Sequence, residues 1–235
     1  MELSKRLMCI VNNMDKCESV IDVGTDHGYI PIYAVKNKIC SKAIASDINK
    51  GPKEKAESNV RFEGISDKIQ CRLGAGLATV KLGEVEAAII AGMGGNLIRD
   101  IIVQDIKKVQ KFEYMILQPA QNAEILREFL YKGSFEILKE DLVIDENIFY
   151  EVFKVKYNKN KIDEVKDIKE DSFYYEVSTR LIEDKHPLIK DFIQNKLDRY
   201  KTILSFIKDD TESAVKRKEE ITAKIKRLKE LIIWS

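Results

Sequence analysis

Residues 19–31 read SVIDVGTDHGYIP, an apolar run followed by a turn that contains two glycines. The run has the β-branched residues of a buried strand, and the turn stands where nucleotide-binding folds place their first ligand-binding loop. Its chemistry differs from that of a phosphate-binding loop, because Thr25, Asp26 and His27 occupy positions that such loops fill with glycine. Asp26 would repel a pyrophosphate but attract an ammonium group. The turn therefore predicts a cationic ligand.

The chain around this turn alternates short β-rich runs with longer stretches compatible with helices. The repeated strand–helix–strand order predicts a parallel sheet with helices on both faces. Right-handed crossovers place the carboxyl ends of the strands at one edge, where such folds bind ligands. The predicted parallel strands are residues 19–24, 42–47, 68–74, 86–92 and 114–119.

After Gly133 the pattern changes, because residues 135–157 contain two strand-like runs joined by the short turn at residues 145–147. The segment has no room for a helix, so it predicts a β-hairpin that ends the sheet with an antiparallel strand. A seven-stranded, mostly parallel sheet closed by a hairpin is typical of class I methyltransferases and differs from the dinucleotide-binding Rossmann fold. Residues 1–157 are thus predicted to form an α/β, Rossmann-like domain of the methyltransferase class.

Residues 158–235 form the second predicted domain. It begins with a highly charged stretch, typical of a linker, that continues to about residue 171. Apolar residues then recur at steps of three and four, which predicts a C-terminal helical coiled-coil hairpin with one apolar stripe on each helix. The two stripes are residues 189, 193, 197, 200, 204 and 207, and residues 221, 225, 228 and 232.

Composition limits the classes of function. With 44% hydrophobic and 34% charged residues and no long uncharged apolar segment, the chain is expected to be soluble, cytoplasmic and without a membrane partner. The four cysteines form no CxxC pair and no cluster with histidine, so we expect free thiols and no metal site. Forty basic and thirty-nine acidic residues give a net charge of +1, so a nucleic-acid partner must meet a local basic patch. We expect a monomer.

Acidic residues and glycines follow the predicted strands at a spacing used by nucleoside cofactors. Asp47 lies 25 residues after Asp22, close to the spacing at which an acidic side chain binds ribose hydroxyls. NAD, FAD and S-adenosylmethionine share this spacing, and either carboxylate alternatively caps a helix. The acidic first turn suits the ammonium of S-adenosyl-L-methionine, which is the cofactor we expect. The predicted cofactor-binding residues are Asp22, Gly24, Thr25, Asp26, His27, Asp47, Ile48, Gly74, Ala75, Gly76, Leu77, Ala91, Gly92 and Met93.

Six short motifs together carry a resemblance to a known family. They are, in chain order, LSKRL (3–7), DVGTDHGYIP (22–31), SDINKGP (46–52), LGAGL (73–77), AGMGG (91–95) and ILQP (116–119). In this order, and followed by the helical tail, they resemble the TrmK family of bacterial tRNA (adenine(22)-N1)-methyltransferases. The resemblance covers nearly the whole chain, and its most specific pieces are DHGYIP and AGMGGNLI.

The resemblance implies a catalytic domain that uses S-adenosylmethionine to methylate N1 of adenine 22 in tRNA, with the helical tail helping to hold the RNA. One position departs from the family, which usually has Asp or Asn where this chain has Ala75. Alanine supplies no side-chain hydrogen bond, so backbone groups would have to recognise the adenine of the cofactor. Two alternatives stay open: a class I methyltransferase for another RNA or a small molecule, and a non-catalytic RNA-binding protein with a decayed pocket.

The predicted catalytic residues are Asp26, His27 and Tyr29. Adenine N1 has a free lone pair in its neutral form, so methyl transfer there depends on positioning more than on removal of a proton. Asp26 is expected to contact the cofactor ammonium or the target amino group, or else to cap the next helix. Tyr29 is expected to stack on the flipped target base, or else to be a core residue. His27 is expected to hydrogen-bond the cofactor or the substrate.

Overall fold

The structure, a computed structural model, describes residues 2–163, 173–209 and 211–234 of the 235-residue chain. The chain divides into two compact units, residues 1–170 and 171–235. Most of the predicted linker, residues 164–171, lies outside the described residues. The described start of that segment forms a short 3-10 helix, Lys159–Asp163.

The first unit is a seven-stranded sheet with helices on both faces, as the strand–helix pattern predicted. The strand order is β3-β2-β1-β4-β5-β7-β6, and β7 runs antiparallel to both of its neighbours. The strands are β1 (Cys17–Val23), β2 (Cys40–Asp47), β3 (Ile69–Leu73), β4 (Ala87–Gly94), β5 (Tyr114–Gln121), β6 (Phe135–Asp145) and β7 (Ile148–Tyr157). The helices are α1 (Lys5–Asn12), α2 (Tyr29–Lys36), α3 (Lys50–Phe62), α4 (Gly95–Gln104), α5 (Ile106–Val109) and α6 (Ala123–Lys132), with a 3-10 turn at Gly76–Thr79.

Two apolar cores form because side chains alternate across the central strands. Ile21 and Ile90 pack in the core that contains α4 and α6, whereas Val20 and Ile89 pack in the core that contains α1, α2 and α3. All four side chains are fully buried. Strands buried on both faces read as continuous apolar runs, which is why β1 and β4 were visible in the sequence.

The predicted hairpin is present and is joined by a two-residue turn. β6 ends at Asp145 and β7 begins at Ile148, and the two residues between them both have positive φ. Their φ angles are 50° at Glu146 and 64° at Asn147, the left-handed region that two-residue hairpin turns require. The hairpin adds β7 to the edge of β5, so the sheet closes with the predicted antiparallel strand.

A buried ion cluster attaches α6 to this hairpin. Arg127 is fully buried, and its Nη2 donates to Glu140 Oε2 at 2.8 Å and to Glu151 Oε2 at 2.5 Å. The guanidinium also lies 4.8 Å from the centre of the Phe153 ring. Since one arginine serves two buried carboxylates, its removal would leave both charges without their cation.

The second unit is helical and has its own apolar core. Its helices are α7 (Phe173–Glu176), α8 (Thr179–Glu183), α9 (Ile189–Phe206) and α10 (Glu212–Trp234). The predicted stripes supply buried residues from both long helices, namely Ile189, Ile193, Leu197, Ile221 and Leu228. The short helices α7 and α8, which the sequence analysis did not predict, add Phe173 and Leu181 to the core. The helices are confirmed, while their coiled-coil geometry stays a prediction.

No helix among the described residues is both long enough and apolar enough to cross a membrane.

Replacing Arg127 with methionine should destabilise the first unit by about 3–5 kcal/mol, because two buried carboxylates lose their partner. Urea denaturation followed by circular dichroism measures this change. The matched control is Lys132→Met on the same helix, which removes an exposed pair with Glu128 and should cost less than about 0.5 kcal/mol. Equal losses in the two variants would contradict the interpretation of the cluster.

Candidate active site

Two adjoining cavities open at the carboxyl ends of β1 and β4, the neighbouring strands between which the strand order reverses. Open α/β sheets bind their ligands at this point. The first cavity has a volume of about 440 Å³ and the second about 360 Å³. Gly24, Ala91 and Gly92 border both of them, so the two cavities form one cleft.

The turn after β1 brings a buried carboxylate to the first cavity. Asp22 is 4% exposed and accepts a hydrogen bond from Thr25 Oγ1 at 2.7 Å. Burial raises the pKa of Asp22 from 3.8 to about 6; the Thr25 hydrogen bond acts in the opposite direction, and Asp47 raises it further. A cation placed beside Asp22 would therefore be favourable for the protein, since it would offset the cost of the buried charge.

Gly24 lets the turn after β1 pass close to Met93, near the end of β4. It has a φ of +75°, and a Cβ at this position would lie 2.3 Å from Met93 Cε. The carbonyl of Ser46 in β2 accepts hydrogen bonds from the Gly24 and Thr25 amides at 2.8 and 3.0 Å. The turn is thus held on β2 by its backbone, which leaves its side chains available to the cleft.

The three predicted catalytic residues all border the first cavity. Asp26 has a φ of +47°, and its carboxylate lies 3.3 Å from His27 Nε2. The His27 and Tyr29 rings are stacked, with centroids 5.1 Å apart and an angle of 10° between the planes. Tyr29 is 37% exposed, so it is not a core residue. Tyr29 and Asp26 therefore present a flat aromatic ring and a carboxylate to the same cavity.

The second cavity lies at the ends of β2, β3 and β4. Asp47 is 9% exposed; its Oδ1 accepts the Asn49 amide at 2.8 Å and its carbonyl accepts the Gly74 amide at 2.9 Å. Predicted residues that border this cavity are Gly24, Asp47, Ile48, Gly74, Ala75, Gly76, Ala91, Gly92 and Met93. Leu77 borders neither cavity, because its side chain is fully buried in the core with α4 and α6.

Several residues of the cleft were not among the predicted site residues. Ser4, Arg6, Leu7 and Ile30 border the first cavity, and Asn49, Leu97, Ile101, Gln104 and Asp105 border the second. The LSKRL motif was the available signal for Ser4, Arg6 and Leu7. Leu97, Ile101 and Gln104 belong to α4, and Asp105 directly follows it. Nothing in the sequence distinguishes these positions from those of an ordinary amphipathic helix.

The cleft is suited to a nucleoside that carries a cationic group. Glycine backbones allow close approach of a flat base in the second cavity, and Asp47 lies where a carboxylate can accept from sugar hydroxyls. The first cavity offers Asp22 and Asp26 to an ammonium. Within the described part of the chain no group of three metal-binding side chains occurs. A larger cavity of about 650 Å³ lies at the opposite ends of β1 and β2 and contains none of the predicted site residues.

Comparison with known proteins gives consistent matches. Residues 20–230 match the family described as TrmK, tRNA (adenine(22)-N(1))-methyltransferase. A curated relative from Bacillus subtilis (strain 168), tRNA (adenine(22)-N(1))-methyltransferase, is 39% identical over 152 residues. That alignment covers 65% of this chain and 64% of the relative, which is just under two thirds of its length.

Solved structures match over almost the full chain. The crystal structure of the B. subtilis m1A22 tRNA methyltransferase TrmK is 32% identical with a TM-score of 0.85, and the match covers 98% of this chain and 99% of that one. A putative tRNA (m1A22) methyltransferase from Streptococcus pneumoniae, solved in complex with S-adenosyl-L-methionine, is 28% identical with a TM-score of 0.85 and coverages of 98% and 100%.

The raised pKa of Asp22 predicts how stability depends on pH. Between pH 3.8 and about 6 the folded protein holds a proton that the unfolded chain has released, so this group's contribution to stability falls as pH rises. Asp22→Asn should therefore raise the free energy of unfolding by about 2–3 kcal/mol at pH 7.5 and by almost nothing at pH 3.5. Urea unfolding at both values tests this, with the exposed Asp67→Asn as control. A gain that is independent of pH would contradict it.

Proposed function

This chain belongs to the TrmK family of tRNA (adenine(22)-N(1))-methyltransferases, and on that premise we propose that it transfers a methyl group from S-adenosyl-L-methionine to N1 of adenine 22 in tRNA. The observation that carries the proposal is the pairing of a glycine-lined nucleoside cavity with an acidic cavity that has a stacked aromatic wall. The matching Streptococcus pneumoniae structure, which holds S-adenosyl-L-methionine, supports the choice of donor. A tRNA substrate also supports a cytoplasmic location, and we propose a monomer.

The cleft contains residues suited to the nucleoside part of the methyl donor and residues suited to its amino-acid part. S-adenosylmethionine supplies a methyl group on a sulfonium. Asp47 is placed to accept from the ribose hydroxyls, and the backbone of Gly74 and Gly76 to contact the adenine. Asp22 is placed to accept from the donor ammonium. Ala75 borders the adenine side and offers no side-chain hydrogen bond, so adenine selection there depends on backbone groups.

The residues proposed to receive the target adenine act by positioning that base. A target adenine has to leave its stack to expose N1, and the exposed Tyr29 face, backed by the parallel His27 ring, is suited to receive it. N1 uses its own lone pair, so no base is required before transfer. After transfer the cationic adenine can lose a proton from its amino group to Asp26 or to solvent. Asp26 is thus proposed to orient the amino group and then to accept its proton.

We propose that exposed cations of the helical unit contact the RNA. Four cations on α10, Lys216, Arg217, Lys226 and Lys229, have exposed side chains. Lys224 and Arg227 are used within the unit instead: Lys224 donates to Glu176, and Arg227 lies 4.1 Å from the centre of the Phe173 ring. Glu219, Glu220 and Glu230 are also exposed on α10, so we propose contacts between individual cations and phosphates.

Purified protein should transfer labelled methyl from S-adenosylmethionine to unmodified bacterial tRNA that carries adenine at position 22. A tRNA with guanine at position 22 should accept no label, because its N1 carries a proton and presents no lone pair. Mapping the modified nucleotide after the reaction checks the position. Label that persists on the guanine variant would overturn the assignment of the target base, and the absence of label on both RNAs would overturn the proposed activity.

Asp26→Asn should lower kcat about 100-fold while leaving the melting temperature within one or two degrees. Asparagine is the appropriate substitution, because it tolerates the positive φ at this position and removes only the charge. The matched control is Asp67→Asn, an exposed carboxylate outside the cleft, which should retain full turnover. Near-normal turnover of the Asp26→Asn protein would remove Asp26 from the mechanism.

A further inference from the structure

Gln118, in the second half of β5, is a fully buried amide with three hydrogen bonds, two of which are to residues that border the first cavity. Its Oε1 accepts from Arg6 Nη1 at 2.8 Å and from the Gly92 amide at 3.2 Å. Its Nε2 donates to the Pro119 carbonyl at 2.7 Å. The last bond decides which way the amide faces, because only nitrogen can donate to a carbonyl. The oxygen is therefore directed at Arg6 and Gly92.

A bulge in β4 explains why an amide is needed there. Ala91 pairs with Gln118 and Met93 pairs with Pro119, so Gly92 has no partner residue in the ladder. Gly92 has a φ of +75°, and its N–H is turned out of the strand pairing. Gln118 supplies the missing acceptor, which holds the bulged end of β4 in the shape that borders both cavities.

Arg6 reaches the same amide from α1 and keeps its charge. Its backbone amide donates to Asp145 Oδ2 at 3.0 Å, which anchors the helix on β6. The guanidinium borders the first cavity and lies 5.5 Å from the centre of the Tyr150 ring. Among the described residues its side chain hydrogen-bonds to Gln118 and forms no ion pair. Asp22 and Asp145 interact with Arg6 electrostatically from beyond ion-pair distance, and the side chain that orients the guanidinium by a hydrogen bond is a neutral amide.

We propose that Gln118 is a positioning residue that holds Arg6 as an anion receptor at the wall of the first cavity and fixes the Gly92 amide beside it. This inference rests on the proposed function and deepens it. The group that Arg6 would receive is an anionic oxygen group, either the carboxylate of the methyl donor or a phosphate of the RNA strand. Asp22 then binds the ammonium of the donor, so that the first cavity holds the two charges of an amino acid on different residues.

The choice of glutamine over glutamate at position 118 distinguishes this role from a merely structural one. A carboxylate of the same size would bind Arg6 more strongly but would neutralise it, and it would face the Pro119 carbonyl without a proton to donate. If Gln118 only tied α1 to the sheet, Gln118→Glu would preserve ligand binding. If Gln118 orients Arg6 and leaves its charge available to a ligand, Gln118→Glu should weaken ligand binding by about tenfold or more, even though the variant protein folds.

The test is calorimetric binding to full-length Gln118→Glu, Gln118→Met, Arg6→Met and the double variant Arg6→Met/Gln118→Met. Three probes separate the sources of the anion: S-adenosylmethionine, its decarboxylated form, and unmodified tRNA. A loss confined to the carboxylate-bearing donor identifies the donor carboxylate, and a loss confined to tRNA identifies a phosphate. The loss of affinity in the double variant should be smaller than the sum of the two single losses, because Gln118 acts in part through Arg6. Any loss beyond that of Arg6→Met belongs to the Gly92 amide, which Gln118 also holds.

A matched control removes another buried amide that ties α1 to the sheet. Asn13 is 3% exposed and donates to Asp141 Oδ2 at 3.0 Å, outside the cleft. Asn13→Leu should lower the melting temperature without changing the affinity for any probe. Wild-type affinity of Gln118→Glu for both the donor and tRNA, or losses that add in the double variant, would overturn the inference. Failure of the parent protein to bind S-adenosylmethionine would instead overturn the proposed function, so the two failures are distinguishable.

Discussion

The cleft depends on one constraint, the side-by-side parallel pairing of β1 and β4. Val23, the last residue of β1, is opposite Ile90, and β4 continues to Gly94 at the same edge of the sheet. Gly24, directly after β1, has no room for a Cβ beside Met93, and both Gly24 and Gly92 have a φ of +75°. Asp22, Asp47 and the bulged end of β4 converge because the sheet brings β1, β2 and β4 together.

This constraint explains why so much of the fold was predictable. Parallel strands buried on both faces are short, apolar and rich in β-branched residues, so their limits in the sequence are sharp. The change of rhythm after Gly133 predicted the hairpin because two strands in succession leave no room for a crossover helix. Asp22, Gly24 and Asp47 were predicted for the same reason, since each lies at or beside a strand end whose position the pattern defines, and all three border the cleft.

The rest of the site depends on packing, which leaves no local pattern. Leu97 and Gln104 enter the second cavity from a helix whose other face is buried in the core, and any helix offers such positions. Leu77 stays a predicted cofactor residue, but the 3-10 turn that begins at Gly76 directs its side chain into the core, so only its backbone is available for that role. The role of Gln118 depends on a bulge in the neighbouring strand, and a bulge follows from tertiary pairing.

Met93 has a consequence for small molecules that would block the cleft. Its methyl group fills the space beside Gly24, and its side chain borders the second cavity. Methionine has three rotatable bonds and adapts to irregular surroundings at little cost. A compound that occupies the second cavity therefore contacts a side chain that can adjust to its shape. Blocking compounds of different shapes can thus be accommodated at this point of the cleft.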